Sequence, residues 1–334
     1  MSYTRREFVS GLTLAGAARF LGGWPDQASA EPPPETTSLR LIRRTGVDCI
    51  SPQYIAEELL IAEGFTDIRY VRTDDSAAKV ERALATGDAH ITMHYAPALI
   101  SQIDRGDPVV ILAGGHVGCY ELFTTRVRSI RDLKGRPVGV PALSSVPWQL
   151  LGIMMAHVGV DRKDMNFVAV PLAEQVKRLV EGQIDAFLAF PPTSHELREK
   201  GIGQVIFNSA VDRPWSQYFC CVVAGNREFV SKHPMATKRA VRAILKSADM
   251  CAVEAGRVAR ALVDRGFSQR YDYALQTLRS LPYGRWREFN AEDSVRFYSV
   301  RLHEAGMIKN NANRILALGT EWRFLTELKK ELKG

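Results

Sequence analysis

The sequence predicts an α/β fold of two lobes, each a mostly parallel sheet flanked by helices, with two crossover segments as the hinge between them. Three observations lead there. Strand-like and helix-like segments alternate from Leu39 onward, and the same alternation restarts near Arg136. A long apolar strand at Gln217–Ala224 then leads into residues 226–334, which are almost wholly helical in pattern.

The elements follow in chain order. Leu39–Arg43 reads as the first strand. Ser51-Pro52 supplies an N-cap and a first-turn proline, and Ile55, Leu59 and Ala62 recur at helical spacing until Gly64. Ile68–Val71 is a second strand, Ala77–Thr86 a helix stopped by Gly87, and Ala89–Met93 and Val109–Leu112 are further strands. In the second half Arg136–Val140 is a strand, and Ser144-Ser145-Val146-Pro147 opens a helix reaching about His157. Asn166–Val170 is extended, Glu174–Val180 helical and Ile184–Leu188 extended again. A faint repeat links the halves: Val80-x-Arg82-x4-Gly87-Asp88-Ala89 and Val176-x-Arg178-x3-Gly182-x2-Asp185-Ala186. The implied boundaries are a linker at 31–36, lobe 1 at 37–122, lobe 2 at 123–221, and a return to lobe 1 with C-terminal helices at 222–334. Crossings are expected around Glu121–Thr125 and Gln217–Ala224.

The first thirty residues carry an address. Thr4-Arg5-Arg6-Glu7-Phe8 precedes a weakly apolar stretch, and Ala28-Ser29-Ala30 has the small-x-small form of a cleavage site. The paired arginines are of the twin-arginine type, which exports folded chains, and Arg19 within the apolar region suits that route better than general secretion. Cleavage near Ala30 removes Arg5, Arg6, Arg19, Glu7 and Asp26, so a formal charge of +7 becomes +6. The expected location is periplasmic.

Composition narrows the class. Of 334 residues, 46% are hydrophobic and 24% charged, which excludes disordered, collagen-like and coiled-coil chains. No apolar run reaches the length of a membrane-spanning helix. Cys49, Cys119, Cys220, Cys221 and Cys251 contain no C-x-x-C pair, so they read as small buried hydrophobes rather than a zinc knuckle.

Four segments carry a resemblance. They are Leu84–Ile91, Gly106–Ile111, Gly182–Phe187 and, with most weight, Ser129-Ile130-Arg131-Asp132-Leu133-Lys134-Gly135-Arg136-Pro137-Val138-Gly139-Val140. The chain resembles the periplasmic substrate-binding proteins of ABC importers, a type II-like two-lobe fold, and looks most like the nitrate/sulfonate/taurine and thiamine-pyrimidine-precursor branch. The likeness covers nearly all of residues 37–325. It implies a ligand held between the lobes, no catalytic residues, no cofactor and no metal. It further implies a monomer that delivers its ligand to an ABC permease and ATPase complex, touching the membrane only through the permease and binding no nucleic acid.

The residues fit that expectation. Helix N-termini offer unpaired N–H groups and a partial positive charge to an anion. Two are expected at the cleft, Cys49-Ile50-Ser51-Pro52 and Ser144-Ser145-Val146-Pro147; Ser51, Ser144 and Ser145 either add hydroxyl donors there or cap their own helices. Tyr95, Tyr120 and Trp148 supply an apolar wall or belong to the core. His90, His94 and His116 are weighed as a metal set and read as cleft lining or structural histidines. Asp185 meets a ligand amine or bonds local backbone. Thr45, Cys49, His94, His116 and Tyr218 complete the ligand-binding candidates. The expected ligand is a small sulfonate-, taurine- or nitrate-like anion, with a pyrimidine or other nitrogenous aromatic as the alternative.

Enzyme motifs are missing. No G-x-S-x-G elbow, phosphate loop, H-E-x-x-H helix or complete G-x-G-x-x-G occurs. The catalytic rival is a thiamine-pyrimidine synthase-like enzyme of the same fold, set against by the export signal and by the short Cys220-Cys221 run. A sensor accessory that presents its ligand to a membrane receptor is a third class.

Overall fold

Leu39 and Leu41 are fully buried on the first strand, β1 (Ser38–Arg44), and they seed a sheet on which the rest of the first lobe assembles. The computed structural model describes residues 31–44, 47–73 and 77–332; the export signal expected at 1–30 and the candidate Thr45 lie outside the described residues. The chain continues through α1 (Ser51–Ile55), α2 (Glu57–Ala62), β2 (Asp67–Thr73), α3 (Ala77–Ala85), β3 (Ile91–Tyr95), α4 (Ala96–Arg105) and β4 (Val109–Val117). Helix α4 is capped by Gly106, whose φ of 87° lies in the left-handed region that glycine enters without strain.

The second lobe repeats the grammar. It comprises β5 (Glu121–Thr124), β6 (Pro137–Val140), α5 (Val146–His157), β7 (Asn166–Ala169), α6 (Leu172–Val180), β8 (Ala186–Ala189), α7 (Thr193–Glu199) and β9 (Gln204–Asn208). The chain then returns as β10 (Phe219–Asn226), followed by a succession of helices. Among these the longest is α8 (Pro234–Val253), and α9 (Ala291–Glu304) packs against both α4 and α5.

The two sheets have the same topology. The first runs β2-β1-β3-β10-β4 and the second β7-β6-β8-β5-β9. In each, the strand that has just arrived from the other lobe is antiparallel to both neighbours, β10 between β3 and β4, and β5 between β8 and β9. The remaining four strands of each sheet run one way. The faint sequence repeat now has a physical meaning: it marks the helix leading into the central strand of each sheet, α3 into β3 and α6 into β8.

The crossings lie slightly earlier than the sequence suggests. Residues 118–120 join β4 to β5, and 209–218 join β9 to β10. Boundaries drawn after 122 and 221 therefore fall inside β5 and β10, because apolar strand residues resemble apolar linkers in sequence. The two links are bonded to each other. Ser209 Oγ accepts from the N–H groups of Cys119 and Tyr120, both at 3.0 Å, and donates to the Tyr120 carbonyl at 2.9 Å. A Cβ added at Gly118 (φ 63°) would come within 2.4 Å of the Ala210 Cα, so glycine is required for the links to touch. Trp215 anchors the second link edge-on to Phe207 and to Phe297 of α9.

Ser209→Ala strands two buried N–H donors, and an unsatisfied buried group costs about 1–3 kcal/mol. The expected loss of unfolding free energy is therefore about 2 kcal/mol or more, read from urea denaturation midpoints at unchanged slope.

Candidate functional site

Parallel strands leave a crevice beyond their carboxyl ends, and here the two sheets open theirs toward a shared cavity of about 920 Å³. Arg44 ends β1, Tyr95 ends β3, Pro141 and Ala142 follow β6, and Phe187–Phe190 close β8. Ser144, Ser145 and Val146 present the start of α5, and Leu172 and Ala173 the start of α6. Phe187, Phe190, Pro191, Pro192 and Leu172 make an apolar wall, with the Phe190 ring edge-on to Tyr95 at 5.2 Å. A smaller cavity of about 350 Å³ shares Arg44 and Pro192 with the main one.

Among the polar residues of the lining, Arg44, Gln149 and Gln175 are buried, whereas Arg82, Arg105 and Ser144 are exposed. Arg44 is only 7% exposed, its guanidinium lies 5.7 Å from the Tyr95 ring centre, and its Nε and Nη1 have no hydrogen-bond acceptor among the described residues. Gln149 donates to Ser101 Oγ at 3.1 Å and Gln175 to the Val170 carbonyl at 3.1 Å, which fixes both amides. Their Oε1 atoms remain unpartnered. The lining thus sets a buried cation from lobe 1 with buried amides from lobe 2; the unpartnered atoms themselves are closed off from the cavity, so a solute reaches them only when these side chains shift. At the margin Glu81, Arg105 and Asp107 form ion pairs of 2.9 and 3.1 Å, and burial raises the Glu81 pKa against the pull of Arg105.

A sequence profile of the family described as NMT1/THI5 like matches residues 66–254, more than half of the chain. The chain belongs to the NMT1/THI5-like family. No curated protein matches it significantly. Among solved structures it is similar to the periplasmic nitrate-binding protein NrtA from Synechocystis PCC 6803, at 15% identity and a TM-score of 0.73 over 90% of each chain. It is also similar to the periplasmic aliphatic sulphonate-binding protein SsuA from Escherichia coli. There the identity is 14% and the TM-score 0.69, over 84% of this chain and 91% of that one. The alkanesulfonate-binding protein SsuA from Xanthomonas axonopodis pv. citri, bound to MOPS, gives 14% and 0.68 over 88% of this chain and all of the other. The two-lobe fold expected for this family member is therefore present.

Of the residues singled out from sequence, Tyr95, Ser144 and Ser145 line the cavity. Ser145 is the N-cap residue of α5, but its hydroxyl donates to the Ala142 carbonyl at 2.7 Å instead of capping. The remaining described candidates face elsewhere. Ser51 lies inside the helical run, since Asp48–Ile50 already forms a 3-10 turn, and its hydroxyl donates to the Asp48 carbonyl at 2.5 Å. The lobe 1 helix that starts at the cleft is α4, directly after Tyr95, rather than α1. Trp148 turns away under Arg162, 4.8 Å from its ring. Asp185 is buried and paired with Arg136 at 3.1 Å and Arg126 at 3.4 Å, so it closes the start of β8. Tyr218 stacks on Phe297 at 4.0 Å, and Tyr120 is buried near Phe190 and Phe207. His90 accepts from the Arg40 N–H and stacks on Phe229.

Cys49 and His116 are fully buried behind the cleft wall, with Cys119, Cys220 and Cys221. Two sets of potential metal ligands result, Cys49–His116–Cys221 and Cys119–Cys220–Cys221, the ligand atoms of each within 4.8 Å of one another. The cysteines are buried, as expected, and all but Cys251 are gathered in these two sets.

His94 is buried with neither ring nitrogen hydrogen-bonded. Burial, reinforced by the Arg44 charge, pushes its pKa down to about 3. The unfolded chain takes up this proton below about pH 6.5, so the folded state loses stability as pH falls from there toward 3, at about 1.4 kcal/mol per unit. His94→Leu should raise the melting temperature at pH 7, and its advantage over wild type should widen at pH 5. A gap that stays constant with pH would show that His94 does not titrate this way.

Proposed function

We propose that the chain is a periplasmic solute-binding receptor that traps a small organic anion between its lobes and hands it to an ABC permease. The observation carrying this reading is the buried Arg44 guanidinium, with two donor nitrogens unpaired, at an apolar cavity of about 920 Å³. A buried cation without partners is unfavourable unless a ligand completes it. The start of α5 adds N–H groups and positive potential on the opposite lobe.

The cavity is large for nitrate and carries an aromatic and proline wall, which supports an organic body on the anion. The unpartnered Gln149 and Gln175 oxygens support a ligand that also bears an N–H donor, as an aminosulfonate of the taurine kind does. The structurally similar nitrate-binding and sulfonate-binding proteins take anions of the same chemical class. Export through the twin-arginine route, a monomeric state and an absence of catalysis belong to this reading.

A thermal-shift series with taurine, an alkanesulfonate, nitrate and an aminopyrimidine tests it. A ligand at about 100 times its Kd stabilises by about 2.7 kcal/mol, a shift of a few degrees. Arg44→Gln should weaken the anion that binds by about tenfold to a hundredfold, the range of one charge-assisted hydrogen bond. A shift given only by the neutral pyrimidine and insensitive to Arg44→Gln would replace the anion with the aromatic ligand. Turnover of any compound would replace the receptor with an enzyme.

A further inference from the structure

We propose that Cys221, together with Cys49, His116, Cys119 and Cys220, forms a buried binding site for a soft, thiolate-preferring cation, Zn²⁺ or Cu(I), behind the cleft wall. The ligands come from four places in the chain. Cys49 sits in the 3-10 turn beyond β1, His116 on β4, Cys119 in the first crossing, and Cys220 and Cys221 at the start of β10. Cys221 belongs to both ligand sets.

Adjacent residues on a regular strand point to opposite faces. Cys220 and Cys221 nevertheless reach the same cluster, because the ladder between β10 and β4 shifts register on both sides of Cys221. An irregularity of this kind re-aims side chains. The resulting separations suit a metal: Cys119 Sγ to Cys220 Sγ is 3.2 Å, and Cys220 Sγ to His116 Nδ1 is 3.7 Å. Ligands about 2.3 Å from a tetrahedral ion lie roughly 3.7 Å apart, so modest adjustment brings up to four of these five residues, Cys221 among them, onto one centre.

The cluster is also poorly satisfied as it stands. All five cysteines are buried free thiols, and the buried Nε2 of His116 has no hydrogen-bond partner. Thiolates with an imidazole select Zn²⁺ or Cu(I) over hard oxygen-seeking ions. Each thiol that ligates releases its proton to solvent, which makes loading pH-dependent. The complete burial of the ligands means that the ion enters as the chain folds and is retained until it unfolds. Cys49 Sγ lies 3.9 Å from the Tyr95 hydroxyl, so the site backs directly onto the proposed ligand cavity. It does not depend on what that cavity binds.

The test uses the full chain, purified anaerobically with reductant, with zinc and copper measured by mass spectrometry. The expected content is about one equivalent, resistant to chelator while folded and lost on unfolding. Refolding in Co²⁺ should give thiolate-to-cobalt charge-transfer absorption. Cys221→Ser should lower the bound metal about tenfold or more, whereas Cys251→Ser, buried but outside both ligand sets, should leave it unchanged. Wild-type chain that takes up none of the three metals on refolding would overturn the site whatever the variants do. So would full metal content in Cys221→Ser, or a Cys119–Cys220 disulfide in metal-free protein that resists reconstitution after reduction.

Discussion

Strand β10 is the constraint on which the first lobe depends. All eight of its residues are buried, and it fills the gap between β3 and β4 with antiparallel ladders on both sides. A strand covered on both faces must be apolar throughout, which explains the unbroken run from Phe219 to Ala224. Because it arrives from the second lobe, its placement also brings the two crossing links side by side. Ser209 and Gly118 then hold them together. The position of the cleft, the adjacency of the links and the gathering of cysteines all follow from this one insertion.

The cleft chemistry divides between the lobes. The first supplies a buried guanidinium, held beside an aromatic ring at the end of β1 and β3. The second supplies a helix start, two fixed amides and most of the apolar wall. Neither half alone encloses the cavity, whose lining is drawn from both.

Much of the fold was legible in the sequence because strand and helix periods, glycine stops and the Ser144–Pro147 helix start are local signals. The site was legible only in part. Ser144, Ser145 and Tyr95 were visible because each adjoins the end of a strand or the beginning of a helix. Arg44 was not: it is one of 44 cationic residues, and it is buried beside Tyr54 and Tyr95, which are distant from it in sequence. Gln149 and Gln175 look like ordinary helix residues. Trp148 was over-read, since helical phase did not show that its ring would lie beneath Arg162. The cysteine cluster was hidden for a different reason, as its members span Cys49 to Cys221 and meet only through an irregular ladder.

The order of the strands has a consequence for biosynthesis. The ribosome completes β3 and β4 well before it makes β10, and the facing edges of both strands lack their partner throughout that interval. At ordinary elongation rates the wait lasts roughly 5–20 s. The nascent protein must pass that time with two open edges of β-structure, sticky toward any other extended polypeptide nearby. A chaperone that shields this stretch during translation would therefore protect yield more than one acting after release.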